Sequence, residues 1–574
     1  MARWRRSRAG LPALLSLAFL MAFVAVAGIA PSSASAEDPH PHDVQLPDPE
    51  EMGPDVRLEA PGVPLSPPSN PEVGDSWVWW LWVHDPMPPH FEEHVCTVRG
   101  KTDRGYVVVR DLEWNVSIDQ EDVDSILQRW ENASIGPFPE MGIYEIDSLA
   151  FGEPPDELDD DPRIYLLWFD FAISADGFFF WFDQYPEGTY PDYHSNECEV
   201  LYLNTTSQGG PGGEYMNAVT AHEFEHMIHW KYDENESSWV DEGMAELGMW
   251  LYGNPDNISA FNSNPDNSLV VWDGNWADYI KTYLWTLYFY ERYGGLETVY
   301  AVVHEPSNST AGYDEILDDY GYAEDFRDAF ADWTVANFLD DTTIEDGRYG
   351  YEGDDLPAFS VAGTYSTYPV EDETRTVSNW AADYYRFEDI QADGLTLGFD
   401  GSDTNWFAVW ALHIPAAGQT QVNRMALDSA SQSGELTVSG ITGPGDEVIL
   451  VAASASSTGG PSYTFSAWEV TGIAEGSSGP GMLSISAEPN PATAWVTLHV
   501  SWDAALGQTP MVSVYDASGR LARTLDASED PAAGQTVITW DRRLENGNRA
   551  PAGVYYARAE MAGEMESEAL LLLP

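Results

Sequence analysis

Apolar residues change their spacing several times along this 574-residue chain, and each change marks an expected boundary. Ser76-Trp77-Val78-Trp79-Trp80-Leu81-Trp82-Val83 is β-prone, and Arg104-Gly105 opens a second such run, Tyr106-Val107-Val108-Val109. Together they predict a small β-rich entry domain over residues 71–119, its tryptophans packed in a sheet rather than displayed as a carbohydrate platform. Val123, Ile126, Leu127 and Trp130 then fall at helical spacing. Ile164-Tyr165-Leu166-Leu167-Trp168-Phe169 and Val200-Leu201-Tyr202-Leu203 are short unbroken apolar runs, expected as buried strands. Gly209-Gly210-Pro211-Gly212-Gly213 ends that pattern. A helix is expected from about Tyr215, buried because Val219, Phe224, Met227 and Ile228 occupy more than one face. Further helices are expected over Trp239 to Tyr252, from Trp276 to the pair Gly294-Gly295, and over 297–340. Residues 120–345 therefore read as one mixed unit, a sheet half feeding a helical half.

From about residue 356 the texture becomes short alternating runs, such as Leu395-Thr396-Leu397-Gly398-Phe399, separated by turn residues. A β-sandwich over 356–472 is predicted. A Gly/Ser linker covers 473–481, and 482–574 form another β-module, with Val512-Ser513-Val514-Tyr515 and Val537-Ile538-Thr539-Trp540 among its strands. The expected fold class is multidomain α+β, a mixed unit followed by two β-sandwich modules.

One stretch carries chemistry. His222-Glu223-Phe224-Glu225-His226 has two histidines four residues apart, on one face of a helix and one turn from each other. Two imidazoles so arranged reach one metal ion, and Glu223 on the flank is suited to hold a water. Zinc in a catalytic site needs a third protein ligand and an open position. Glu242 in the next helix is the best candidate, with Asp241 as the expected helix cap. Glu246, one turn on, is suited to accept the outer N–H of a ligand histidine. His229 shares the helix face but lies about 10 Å along the axis from His222, so it is assigned to packing or outer support. A third ligand histidine six residues after His226 is absent, since that position is Tyr232.

His222-Glu223 and His226, with Trp239-Val240-Asp241-Glu242-Gly243-Met244-Ala245-Glu246, resemble the gluzincin metallopeptidases, closest to the secreted bacterial hyicolysin-like group. The resemblance implies a gluzincin-type catalytic unit in which His222, His226 and Glu242 bind Zn2+. It implies that Glu223 is the general base and that Glu246 supports the first histidine. Tyr279-Ile280-Lys281 before an apolar helix resembles the segment that supplies an oxyanion-stabilising tyrosine in the aminopeptidase branch; this implies the role for Tyr279, with Tyr283 next. Asp241 departs from the asparagine many gluzincins carry, and the glycine-rich exopeptidase motif is absent, so an endopeptidase is expected. The resemblance also implies that an edge strand ahead of the zinc helix pairs with substrate backbone; the strand at Ser195–Leu203 is the candidate. Residues 482–574 resemble the C-terminal sorting modules of exported bacterial proteins and the immunoglobulin-like domain of flagellar hook-capping proteins, which implies dealings with secretion or cell-surface machinery.

Composition adds an address. Arg3, Arg5, Arg6 and Arg8, an apolar run from Leu11 to about Ala30, and Ala34-Ser35-Ala36 read as a secretory signal peptide over 1–36. Residues 37–70, rich in Pro and acids, read as a disordered linker or pro-segment. A secreted or cell-surface protein is expected. The formal charge of −70, with lysine only at 101, 231 and 281, excludes nucleic acid as a partner. The acidity fits adaptation to high salt, carboxylates that bind Ca2+, or simply an acidic exported protein, with Asp159-Asp160-Asp161 as a calcium loop or an acidic turn. Cys96 and Cys198 are candidates for one disulfide. The function expected is a secreted zinc-dependent endopeptidase acting on protein or peptide. The alternative is a non-catalytic surface adhesin on the same scaffold, against which the intact Glu223 argues.

Overall fold

The computed structural model describes residues 51–573 except 59–61, 157, 160, 457–458, 471–483, 489–491, 493–494, 502–508, 517–519, 526–534, 545–548 and 562–563. The expected leader 1–36 and linker 473–481 lie outside the described residues. The chain is a multidomain mixed α/β protein with several sheets. Among the described residues no helix is long and apolar enough to cross a membrane.

The first sheet is built from β1 (Ser76–Val83), β2 (His90–Lys101), β3 (Gly105–Arg110), β4 (Ile164–Phe169), β5 (Gly177–Phe179) and β6 (Val200–Asn204), in the order β1-β2-β3-β4-β6-β5. The β3, β4 and β6 strands run parallel; the other pairs are antiparallel. The expected entry domain 71–119 is thus not a separate body, because β3 pairs directly with β4 along Gly105–Val109. Alternation explains why its strands are apolar throughout. Val107, Leu166, Trp168 and Leu201 face the helices, while Val108, Leu167, Phe169 and Tyr202 face a second, aromatic-rich core with Trp77, Trp79 and Trp82. Those three tryptophans are buried, as expected of a packed sheet. Part of the 37–70 segment is ordered: Val56 bridges β2, with Val56 N–H donating to Phe91 O at 2.9 Å and Glu93 N–H to Val56 O at 2.9 Å. Cys96 and Cys198 sit buried in the aromatic core as free thiols, so the expected disulfide is not formed.

The helical half comprises α1 (Gln120–Glu131), α2 (Ile143–Ala150), α3 (Glu214–Tyr232), α4 (Ser238–Tyr252), α5 (Trp276–Arg292), α6 (Leu296–Val303), α7 (Thr310–Tyr320) and α8 (Phe326–Leu339). α3 is buried almost all round, from Met216 to His229, as its scattered apolar pattern requires.

The following sandwich has one sheet of order β13-β10-β15-β8 (β8 Val370–Thr376, β10 Gly394–Gly401, β13 Ser433–Ser439, β15 Ser462–Val470). Its other sheet has the order β12-β11-β14-β9-β7 (β7 Gly363–Tyr365, β9 Ala381–Phe387, β11 Phe407–Ile414, β12 Gln421–Arg424, β14 Glu447–Ser454). The second sheet is buried on both faces. Tyr385, Val409 and Leu450 face the other sheet, whereas Tyr384, Trp410 and Val451 belong to the core of the helical half. Tyr384 Oη donates to Thr334 O of α8 at 2.6 Å. Trp380 lies with its ring 4.9 Å from Phe326 and 5.2 Å from Phe330. The C-terminal segment forms two further sheets, one of β16 (Ser484–Glu488), β17 (Val496–Ser501) and β20 (Gln535–Trp540), the other of β18 (Met511–Asp516), β19 (Leu521–Leu525), β21 (Gly553–Met561) and β22 (Glu564–Leu572).

Candidate metal centre

The helices α3 and α4 pack side by side, and α4 in turn packs on α5. Gly243 makes the second contact close: a Cβ there would lie 2.5 Å from Thr286 Oγ1 and 3.1 Å from Thr282 O. This seating puts the first turns of α4 over the middle of α3.

His222, His226 and Glu242 meet there. Their facing atoms form a triangle: His222 Nε2 to His226 Nε2 is 3.1 Å, His222 Nε2 to Glu242 Oε2 is 3.5 Å, and His226 Nε2 to Glu242 Oε2 is 3.8 Å. Donors bound at about 2.0–2.1 Å to one tetrahedral ion stand about 3.3–3.4 Å apart. The triangle brackets that value, and the donor set of two imidazoles and a carboxylate suits zinc.

The far nitrogens are held as well. His222 Nδ1 lies 3.3 Å from Glu246 Oε1, and His226 Nδ1 lies 3.2 Å from Asp241 Oδ1. A carboxylate on each Nδ1 selects the tautomer that turns Nε2 toward the centre. Asp241 is therefore not the helix cap. The cap is Ser237, and Asp241 in the first turn faces the histidines instead. Burial works against charge on His226, but Asp241 first, then Glu242 and Glu223, raise its pKa well above the ordinary histidine value. Partial desolvation opposes ionisation of the half-exposed Asp241 carboxyl, but His226 first, then His229 and His222, hold it down to about 2. The carboxylates around His226 thus favour positive charge there, whether a proton or a bound cation supplies it.

Glu223 is fully buried, on the side of α3 that meets β5. A Cβ on Gly177 would come within 2.7 Å of Glu223 Cγ and 2.8 Å of its Oε1. Only glycine at 177 leaves the carboxylate room. β5 is the last strand of its sheet and pairs with β6 alone among the described strands. The edge next to the site is thus β5, not the strand at Ser195–Leu203, whose ordered part β6 lies inside the sheet between β4 and β5.

Tyr279 is buried with its ring 4.8 Å from Trp272 and 6.5 Å from the His222 ring. Tyr283 is committed elsewhere, since its hydroxyl donates to Asp354 Oδ2 at 2.9 Å. Lys281 is also structural: its buried ammonium donates to Asn267 Oδ1 and Val271 O and pairs with Asp278, pinning the loop ahead of α5.

Two other groups have donor atoms within reach of one ion. Glu225, His229 and Asp241 form one: His229 Nδ1 is 3.1 Å from Glu225 Oε1 and 3.4 Å from Asp241 Oδ1. Burial opposes charge on His229, but Glu225 and Asp241 raise its pKa to about 9. Asp156, Asp159 and Glu199 form the other, where burial lifts the Asp159 carboxyl to about 6. In the acidic stretch marked as a calcium loop, Asp161 serves the fold by accepting from Tyr106 Oη at 2.8 Å and pairing with Arg163 at 2.7 Å.

A cleft of about 200 Å³ opens on the centre, lined by His226, Glu242 and Asp241, by Phe179, Trp181 and Trp230, and by Asp233, Glu234 and Glu236. Sequence reasoning missed Gly177, Trp230 and Asp233, because nothing local marks them and only the packing of β5 and the end of α3 brings them to the centre.

The family match lies in a different part of the chain. Residues 493–564 match the FlgD Ig-like domain. No curated protein matches the chain. Among solved structures it is similar to the adhesin domain of Epf from Streptococcus pyogenes, at 10% identity over 35% of this chain and 78% of that one, with a TM-score of 0.13. A family GH115 4-O-methyl-alpha-glucuronidase, BtGH115A, gives 9% identity over 48% and 47%, with a TM-score of 0.13. The Endo-D glycoside hydrolase domain from Streptococcus pneumoniae R6 gives 9% identity over 36% and 36%, with a TM-score of 0.12. Overlaps this slight decide neither fold nor function.

Proposed function

We propose that this protein is a secreted zinc-dependent endopeptidase of gluzincin type. The observation that carries the reading is the triangle of His222, His226 and Glu242, with Glu223 buried beside it and each histidine backed by its own carboxylate. Those three residues would hold a zinc ion, which would supply Lewis-acid chemistry for a peptide carbonyl and a water. Glu223 takes the proton of that water and passes it to the leaving amine. Its confinement between α3 and Gly177 keeps the carboxylate aimed without freedom to swing away. Glu246 and Asp241 orient the imidazoles. Tyr279, its ring 6.5 Å from that of His222, is the phenol assigned to the oxyanion, since Tyr283 is tied to Asp354. The outer edge of β5 offers backbone groups to an extended peptide, with Phe179 at the cleft. The C-terminal module, similar to a FlgD Ig-like domain, serves export or surface attachment.

The test is casein or peptide digestion by zinc-loaded protein, with and without chelator, beside the Glu223→Gln variant. Hydrolysis is expected to stop with chelator and to fall by about 10²–10⁴ in the variant while zinc stays bound. A variant as active as the parent overturns the mechanism.

A further inference from the structure

The cleft beside the centre has a chemistry of its own, which the hydrolytic reading does not use. Its far end carries Asp233, Glu234 and Glu236, and no lysine or arginine lines it. Asp233, at the C-cap of α3, is 7% exposed, and its Oδ2 is buried with no hydrogen-bond partner. Its other oxygen accepts only a long bond, 3.4 Å from Asn235 N. A carboxylate oxygen left this way lacks the compensation that buried charges ordinarily have. Glu236 is held in position by the backbone N–H groups of Ser237 and of Ser309, the latter at 2.7 Å. Asp241 already faces the Nδ1 atoms of His226 and His229, at 3.2 and 3.4 Å. The walls are aromatic: Phe179 and Trp230 stand 6.2 Å apart, and Trp181 completes the lining. Aromatic faces leading to the buried Asp233 carboxylate, with the half-buried Glu236 and the exposed Glu234 beside it, suit a long aliphatic stem that ends in a cation.

We propose that this cleft is the specificity pocket for a lysine or arginine side chain of the substrate, next to the scissile bond, with Asp233 as its buried counter-charge. The pocket is continuous with His226 and Glu242, so a side chain seated there belongs to a residue flanking the bond under attack. The inference rests on the peptidase reading above. It explains why a site in so acidic a chain keeps one carboxylate oxygen without a partner of its own.

The test digests a peptide library of random composition with zinc-loaded full-length protein. Lysine and arginine are expected to be enriched at one position beside the cleaved bond, by about fivefold or more. Cleavage with no basic preference overturns the inference and leaves the hydrolytic reading standing. In matched peptides, Asp233→Asn is expected to lower the ratio of kcat/KM for the Arg peptide over its Gln counterpart by about tenfold. Glu236→Gln serves as the second variant if Asp233→Asn fails to fold, and an unchanged ratio overturns the assignment. Calorimetry on zinc-loaded Glu223→Gln protein separates the two claims. About tenfold tighter binding of the Arg peptide than the Gln peptide supports the pocket even if no bond is cut, and equal binding removes it.

Discussion

The α3–α4 pair holds two groups built from histidines and carboxylates. His222, His226 and Glu242 form one; Glu225, His229 and Asp241 form the other. Both draw two side chains from α3 and one from α4. The difference lies in which atoms face one another. In the first group three donor atoms near enough to hold one ion converge, and the outer nitrogens of both histidines already face carboxylates. In the second, a single imidazole nitrogen faces two carboxylate oxygens, a closed ion pair that needs no further charge. The first group borders the cleft through His226 and Glu242; of the second, only Asp241 does. A cation site needs converging donors and an approach, and the residue types alone provide neither.

The largest effect that separates the groups is on metal. Glu242→Gln is expected to weaken zinc binding by well over the about 10–100-fold seen for outer partners, and Glu225→Gln by no more than that. Zinc stoichiometry and competition with a chromophoric chelator measure both. Equal losses would erase the distinction drawn here.

Gly177→Ala sharpens it from the other side of α3. The three atoms nearest the added methyl all belong to Glu223, and Gly177 has no left-handed backbone that alanine would resist. We expect kcat to fall about 100-fold with zinc retained. Unchanged kcat would mean that Glu223 works from another position.

The smallest effect is on stability against pH. His229 has a folded pKa of about 9, above its ordinary 6.5, because Glu225 and Asp241 outweigh the effect of burial. Between these values the folded state binds more protons than the unfolded one, so stability falls as pH rises. The contribution is complete below about pH 6.5 and lost through pH 9. In His229→Gln the melting temperature should therefore decline less steeply over that window. Thermal scans of zinc-loaded protein check it, and parallel profiles would show that the pair does not titrate as described.

The same contrast marks how far the chain could be read before folding. The His222/His226 spacing, the buried character of α3 and a following helix bearing Glu242 and Glu246 are all covalently local, and periodicity states them. The helical reading of 276–292 and the strand at 164–169 were legible for the same reason. The role of Asp241 was misread because a carboxylate in a first turn suits a cap as well as a neighbouring helix, and only the seating of α4 on α3 chooses. Likewise β1 to β3 looked self-contained until β3 paired with β4, a contact made across more than fifty residues of chain.

By itself, then, the sequence determined the two histidines on one helix face, the glutamate between them, the strongly negative charge and the order of helical and β-rich stretches. These follow from bond geometry and side-chain polarity, which need no partner. The tertiary structure alone decided that Gly177 closes on Glu223, that β5 is the edge beside the site, that Asp233 ends in an aromatic cleft, and that the sandwich shares a core with α8. Each of those is a contact between segments far apart in the chain, set by how whole surfaces pack, and no local pattern encodes it.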